Sequence, residues 1–342
     1  MKQSLGQFYT KNYEYILQTI QIPDTITQII EPFAGEADLL NYIVSSDNTY
    51  DILMYDIDPK QESIQKRDTL LNPPEYQDKF VITNPPYLAR NKSESKEVYD
   101  KYDVNDLYKC FLVSLLNDVC EGGILIIPLN FLCSTRKQDC LLRKRFLSVY
   151  SIQQVNIFEE QVFTDTSCTV CSFLFLKGAQ TSEIPMTVYP SKQTLHIDLS
   201  EKTKYSIGGH LYEIQPSSTY HFKRLTSQNL QEKNTHIVVK CIDDNSQSMI
   251  RAMYVDESEL FVDTTPKCSA RGYMTLIITP PINETTQKKV VNDFNTWLTE
   301  ERKQYHSLFL ANYRESKDIA RKRISFDLVY KLMGHLLEMN NS

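Results

Sequence analysis

The sequence predicts an α/β domain built on an open, mostly parallel sheet, followed by a second domain of different character. Through the first half, apolar strand-like runs alternate with amphipathic helical stretches. Several of those runs end in acidic or amide residues followed by turn formers, the pattern expected where an open sheet meets its ligand crevice. After about Gly178 the alternation dissolves into mixed segments with no clear period.

The strand candidates, in order, are Gln28–Ala34, Asp51–Asp56, Phe80–Thr83, Gly123–Leu129, Ile152–Phe158 and Thr169–Lys177. Helical stretches at Glu36–Val44, Val104–Cys120 and Lys137–Val149 lie between them. Such a rhythm places helices on both faces of the sheet. About ten residues separate the last two strands, too few for a helical crossover, so they read as an antiparallel hairpin closing the sheet edge. The segment Leu88 to Asp103 is polar and charged, a loop or lid candidate.

Four residues, Asn84-Pro85-Pro86-Tyr87, stand out at the end of the Phe80–Thr83 run. An Asn before proline is driven to an extended conformation, so its side chain projects from the strand end. Two prolines supply a stiff turn with carbonyl oxygens and no competing N–H. Tyr87 adds an aromatic face with a polar tip. Together they make a holder for a planar, amine-bearing group such as a nucleobase. Two internal controls show that prolines alone are not enough. Asn72-Pro73-Pro74-Glu75 lacks the aromatic residue, Thr279-Pro280-Pro281-Ile282 lacks both Asn and aromatic, and both read as simple turns.

Upstream, Glu31-Pro32-Phe33-Ala34-Gly35-Glu36-Ala37-Asp38-Leu39-Leu40 reads as strand, small-residue turn and helix, which lets a nucleoside-like ligand approach the backbone. Asp56, ending the second strand about 20 residues past that turn, suits a ribose diol, since an ionised acid accepts from both hydroxyls. Asp68 could accept from an adenine amine. Each acid alone is more often a helix cap or surface residue. Three near successive strand ends point to a cofactor cleft.

The bulk numbers set the frame. A chain of 342 residues, 41% hydrophobic and 23% charged, holds two domains, or one large domain with an addition. No run approaches the 18 apolar residues of a membrane span and the start lacks a signal-peptide core, so a cytoplasmic location is expected. Eight scattered cysteines fit a reducing compartment. Cys168 and Cys171 have metal-like spacing but lie in a strand-like run, where residues three apart face opposite ways; no metal site is expected. The net charge of −6 is unevenly spread: residues 1–178 carry −7 and residues 179–342 carry +1. Within the latter, Arg302 to Lys331 holds eight basic residues against Glu315, Asp318 and Asp327, a local +5. That stretch suits a phosphate-tracking surface, and a solvated helix face is equally compatible with it.

These motifs resemble those of N6-adenine DNA methyltransferases. Leu5-Gly6-Gln7-Phe8-Tyr9-Thr10 is similar to their opening motif, Glu31 to Leu40 to their cofactor motif, and Asn84-Pro85-Pro86-Tyr87 to their catalytic motif. Weaker matches are Asp106-Leu107-Tyr108 with Phe111, Gly122-Gly123 to Pro128, and Gln161-Val162-Phe163. The motif order is similar to the gamma class from restriction–modification systems, and covers about residues 4–178. One departure is Ala37, where the family usually has a second glycine; a backbone needing positive φ there would be strained.

The resemblance implies a Rossmann-like methyltransferase sheet over residues 1–178 and a target-recognition domain over residues 179–342. It implies S-adenosylmethionine as cofactor, held by Thr10, Glu31, Pro32, Ala34, Gly35, Asp56, Ile57 and Asp68. Asn84, Pro85, Pro86 and Tyr87 would be catalytic, with a flipped-out adenine stacked on Tyr87 and Phe163. Double-stranded DNA would be the substrate, with Arg314, Arg321, Lys322 and Arg323 on its phosphates, and a restriction endonuclease acting separately would be a partner. Methylation of an RNA base or a protein glutamine is the alternative within enzymes, because Asn-Pro-Pro-Tyr also occurs there. A non-catalytic DNA-binding subunit of the same fold is the alternative outside them.

Overall fold

The computed structural model describes residues 10–45, 49–163, 168–233, 235–244, 247–264, 272–315 and 320–341. The chain divides into two compact units, Met1–Tyr205 and Ser206–Ser342. Of the opening motif, Leu5 to Tyr9 fall outside the described residues, and only Thr10 is placed.

The first unit is an α/β fold on one nine-stranded sheet in the order β3-β2-β1-β4-β5-β7-β6-β8-β9. Its parallel part comprises β1 (Gln28–Glu31), β2 (Asp51–Asp56), β3 (Gln65–Lys66), β4 (Phe80–Thr83) and β5 (Gly122–Pro128). All four β4 residues and all seven β5 residues are buried, hence their continuous apolar sequence. The fit between β4 and β5 is close: a Cβ added at Gly123 would lie 2.4 Å from the Val81 carbonyl oxygen, so only glycine is accommodated.

Among the described residues this unit has the α-helices α1 (Tyr13–Ile16), α2 (Asp38–Val44), α3 (Glu97–Tyr102), α4 (Leu107–Asn117), α5 (Asn130–Cys133) and α6 (Lys137–Val149). Helices α4 and α6 carry buried charges. Lys109 of α4 pairs with Asp139 of α6 at 2.5 Å, and the fully buried Arg143 of α6 donates to the carbonyls of Phe131, Ser134 and Tyr205. Each guanidinium nitrogen therefore has an acceptor, which is what keeps a buried cation tolerable.

Two expectations are corrected here. β6 (Tyr150–Phe158) and β7 (Val170–Lys177) are antiparallel as expected, but they do not close the sheet. β7 lies between β5 and β6, and β8 (Ile184–Tyr189) adds parallel to β6, followed by antiparallel β9 (Gln193–Ile197). The boundary expected at 178/179 consequently moves to 205/206. The physical reason is a short alternation: Ile184, Met186 and Val188 are buried, on one face of β8, while Pro185 and Thr187 between them are half-exposed.

The second unit holds a four-stranded antiparallel sheet, β10 (His221–Arg224), β13 (Tyr273–Thr279), β11 (Ile237–Lys240) and β12 (Arg251–Tyr254), in that spatial order. Helix α7 (Glu284–Tyr305) packs against β12 and against α8 (Phe326–Asn341). Asn283 caps α7, accepting from the Thr286 N–H at 2.8 Å, and the helix buries Val290, Phe294 and Leu298. A separate two-stranded ribbon pairs β14 (Ala311–Glu315) with β15 (Ala320–Arg323). Among the described residues no helix is long and apolar enough to cross a membrane.

Ala37, flagged as a substituted glycine position, does adopt the left-handed conformation, with φ 63° and ψ 31°. Its methyl group is buried with Ala34, Met54 and Ile64. An L-residue there costs about 1 kcal/mol in backbone strain, part of which is offset by this burial. Ala37→Gly is expected to leave the free energy of unfolding within about 1 kcal/mol of wild type or above it, whereas Ala37→Val should lower it by more than about 1 kcal/mol. Thermal denaturation of the two variants checks this.

Candidate functional site

Strand order fixes where the site lies. From β1 the chain builds outward through β2 and β3, then returns to place β4 on the other side of β1. The β1/β4 pair is thus a switch point, outside whose carboxyl ends an open α/β sheet leaves a crevice. Glu31 ends β1 and Asn84 follows β4, so both open onto it. The resulting cleft holds about 1090 Å³ of empty space, open solvent included.

Most of the residues expected from sequence line this cleft. Thr10, Glu31, Ala34, Gly35, Asp56, Ile57, Asp68, Asn84 and Pro86 do so. Pro32, Pro85, Tyr87 and Phe163 do not. Pro32 acts through its carbonyl, which accepts from the Thr69 hydroxyl at 2.9 Å and so ties the β1 turn to the segment carrying Asp68. Phe163 is buried away from the cleft.

The carboxylates differ in what they already hold. Asp56 accepts from the Gly35 N–H through Oδ2 and from the Asp58 N–H through Oδ1, both at 2.8 Å. This locks the β1 turn, where Gly35 has φ 56°, against the end of β2. Asp68 caps its own turn through Oδ1, accepting from Leu70 and Leu71 at 3.1 and 3.0 Å. Glu31 is only 1% exposed, and its Oε2 has no hydrogen-bond partner among the described residues. Burial, then the charges of Asp38 and Asp56, push its carboxyl well above the usual range.

At the other end, the Asn84 amide is held on both sides. Its Nδ2 donates to the Thr10 hydroxyl at 3.0 Å, and its Oδ1 accepts from the Tyr87 hydroxyl. The same hydroxyl reaches the Ile126 carbonyl at 2.6 Å. The Tyr87 ring is 8% exposed and meets Tyr108 edge-on at 6.3 Å. Sequence reasoning expected Tyr87 as a stacking face; its place in the structure is as a brace that orients Asn84.

Sequence reading missed part of the lining. Phe33, Asp38 and Leu39 belong to the cofactor motif but were not singled out from it. The polar segment after Tyr87 contributes Leu88, Ser93, Ser95, Val98 and Tyr99. It is partly helical, through α3, and Tyr99 donates to the Leu88 carbonyl at 2.8 Å. Its polarity marked it as a candidate lid, but a charged composition gives no hint of which residues turn inward. Among the described residues no group of three or more metal-ligating side chains is present.

In the second unit the basic stretch is less available than its charge suggests. Arg302 is chelated by Asp243 at 2.9 and 3.0 Å, Lys303 pairs with Glu300 at 2.7 Å, and Lys331 with Asp327 at 3.2 Å. Lys322, expected on DNA phosphates, is 1% exposed, because its strand turns that side chain inward while its carbonyl accepts from the Asp243 N–H. That expectation is withdrawn for Lys322. Arg323 is half-buried, and the side chains of Arg314 and Arg321 lie outside the described ones.

Residues 12–163 match the model of the Eco57I restriction-modification methylase family, a span that takes in both the cofactor and the catalytic motifs. The family model thus agrees, over this segment, with the resemblance to restriction-modification methylases drawn from those motifs. No curated protein matches the chain. Among solved structures, a modification subunit assigned to a type I restriction enzyme from Vibrio vulnificus YJ016 is similar over 61% of this chain and 51% of its own, at 14% identity and TM-score 0.44. The type I restriction-modification methyltransferase subunit from Streptococcus thermophilus is similar over 54% and 48%, at 14% identity and TM-score 0.40. A DrdV–DNA complex is similar over 70% and 35%, at 14% identity and TM-score 0.43. The chain thus spans about half or less of the length of these solved chains.

Behind the catalytic turn, Asp106 sits before α4 with a buried Oδ1 that has no partner among the described residues. Burial pushes its carboxyl up to about 6, against the pull of Lys109 and nearby backbone N–H groups. The folded chain therefore binds a proton that the unfolded chain, at about 3.9, does not. Ionisation of Asp106 costs stability as pH rises toward 6 and above, and this cost is absent below about 4. Asp106→Asn should accordingly gain about 1 kcal/mol relative to wild type between pH 5 and pH 7.5. Urea denaturation at the two pH values reads the difference; a constant gap would mean that Asp106 does not titrate in this window.

Proposed function

We propose that this chain transfers a methyl group from S-adenosylmethionine to the N6 amine of a flipped-out adenine in a specific double-stranded DNA sequence. The observation that carries this reading is the orientation of Asn84. At the switch point of the sheet, Thr10 occupies its Nδ2 and the Tyr87 hydroxyl takes one lone pair of its Oδ1, so a substrate N–H would be met by the oxygen's second lone pair.

The donor set suits the cofactor. Asp56 retains acceptor capacity beside its two backbone bonds, as a ribose diol requires, and Asp68 has a second oxygen for an adenine amine. Ile57, 43% exposed on the cleft wall, offers an apolar face for the adenine ring. Glu31 answers positive charge. Bound there, the cofactor would supply a methyl group on a sulfonium, activated toward displacement.

The remaining work falls to the chain itself. An exocyclic amine of adenine is a poor nucleophile, because its lone pair is delocalised into the ring. Asn84 Oδ1 and the Pro85 carbonyl would each accept one N–H, drawing the nitrogen toward tetrahedral geometry and freeing its lone pair. Pro85 and Pro86 have no N–H to compete for these acceptors. Positioning and electrostatics dominate such a displacement, and no covalent enzyme intermediate is needed. Tyr87 would then serve chiefly by holding Asn84, with the base seated against the adjoining Pro86.

The second unit, residues 206–342, is the proposed target-recognition domain, with Arg314, Arg321 and Arg323 of the β14–β15 ribbon contacting phosphates. The motif order and the restriction-modification family match support DNA as substrate over RNA or a protein glutamine.

Sequencing DNA from a host that expresses the chain, with an N6-methyladenine readout, tests target base and context together. Asn84→Ala should reduce methyl transfer by about two to three orders of magnitude while cofactor affinity stays within several-fold. Equal loss of both would assign Asn84 a structural role. In a labelled-cofactor panel, transfer to RNA or protein but not DNA would reject the DNA reading. Replacing Arg314 and Arg321 with Gln should reduce the slope of log affinity against log salt by about 2, and an unchanged slope would remove the ribbon from the interface.

A further inference from the structure

Asp38, in the first turn of α2, lines the cleft together with Glu31. Both carboxylates are anomalous. Oδ2 of Asp38 and Oε2 of Glu31 are buried, and neither has a hydrogen-bond partner among the described residues. Burial raises the Asp38 carboxyl above its ordinary value, Glu36 adds to that, and Lys11 opposes it from an exposed position. Arg67 also lines the cleft, but its guanidinium is spent on the carbonyls of Asn72 and Pro73, at 2.7 and 2.8 Å, and lies over the Tyr55 ring. Glu31 is fully buried and Asp38 half-buried, and Lys11 opposes only Asp38 and from an exposed position, so positive charge carried by a ligand would relieve both carboxylates.

Connectivity shows which end of the ligand this is. The Thr10 backbone N–H lies close enough to Asp38 to pull its carboxyl down, and the Thr10 hydroxyl accepts from Asn84 Nδ2 at 3.0 Å. Asp38 is therefore one residue removed from Asn84, at the reacting end of the cleft. Asp56 and Asp68 are engaged with the backbone of the β2 end and the following turn instead.

We propose that Asp38 is a specificity-determining residue whose carboxylate, beside Glu31, makes the cleft prefer the sulfonium form of the cofactor to the neutral thioether left after transfer. The inference rests on the reading of the cleft as an S-adenosylmethionine site. Transfer breaks the S–CH₃ bond with its electron pair left on sulfur, and the positive charge leaves on the methylated nitrogen as a proton. The product thus lacks the charge that Asp38 answers, and its release is favoured. A carboxylate serving only to hold Thr10 in place would give no such discrimination.

The test is calorimetric binding of three ligands to the full chain: S-adenosylmethionine, sinefungin (which carries an amine in place of the methylated sulfonium), and S-adenosylhomocysteine. Asp38→Asn keeps the size and the acceptor for the Thr10 N–H while removing the charge. It should weaken the two cationic ligands about tenfold and the neutral thioether less than threefold, in keeping with a partly screened charge pair. Asp38→Glu, which keeps the charge, should retain the preference, and melting without ligand controls for folding. Equal losses for all three ligands, or no loss for the cations, would overturn the inference and leave the cofactor reading intact. A wild-type chain that binds none of them would overturn both.

Discussion

The site depends on one topological constraint, the side-by-side placement of β1 and β4 with their carboxyl ends facing the same way. Parallel pairing forces the chain to leave β1, build β2 and β3 on one flank, and return for β4 on the other. The two turns that follow β1 and β4 then diverge, and the gap between them is the cleft. Glu31 and Asn84, 53 positions apart in the sequence, become neighbours across it. The close β4–β5 contact at Gly123 keeps β4 rigid from its other side.

Around this gap, backbone N–H groups and side-chain acceptors are matched unequally. Asp56 and Asp68 are partly satisfied by the turns they stabilise, so they shape the cleft as well as lining it. Glu31 and Asp38 keep unmet oxygens, which costs stability in the empty chain. Such local destabilisation, set in a well-packed sheet, is how a fold reserves binding energy for a ligand. Asn84 is the reverse case. Both ends of its amide are already bonded, so its orientation is fixed before any substrate arrives.

The second unit shows how far a charge count can mislead. The run from Arg302 to Lys331 carries a local +5 in sequence. Asp243, some 60 residues before Arg302, neutralises that arginine, and nothing in the linear order announces it. Lys322 is consumed by burial.

The sequence by itself determined the parallel core of the first unit and the chemistry of its cleft. Continuous apolar runs in β4 and β5 and the amphipathic period of α6 are local signals, because burial on both faces of a strand or one face of a helix is written residue by residue. The Asn-Pro-Pro-Tyr turn is equally local, since proline fixes the geometry of its own neighbours. Tertiary structure alone decided the rest. It extended the sheet through β8 and β9, because pairing to β6 depends on an edge that no sequence window contains. It brought Asn84 and the Ile126 carbonyl to the Tyr87 hydroxyl, which ties that ring to the amide beside it. It also brought Asp38 and Glu31 to one cleft, each with a carboxylate oxygen that has no partner among the described residues.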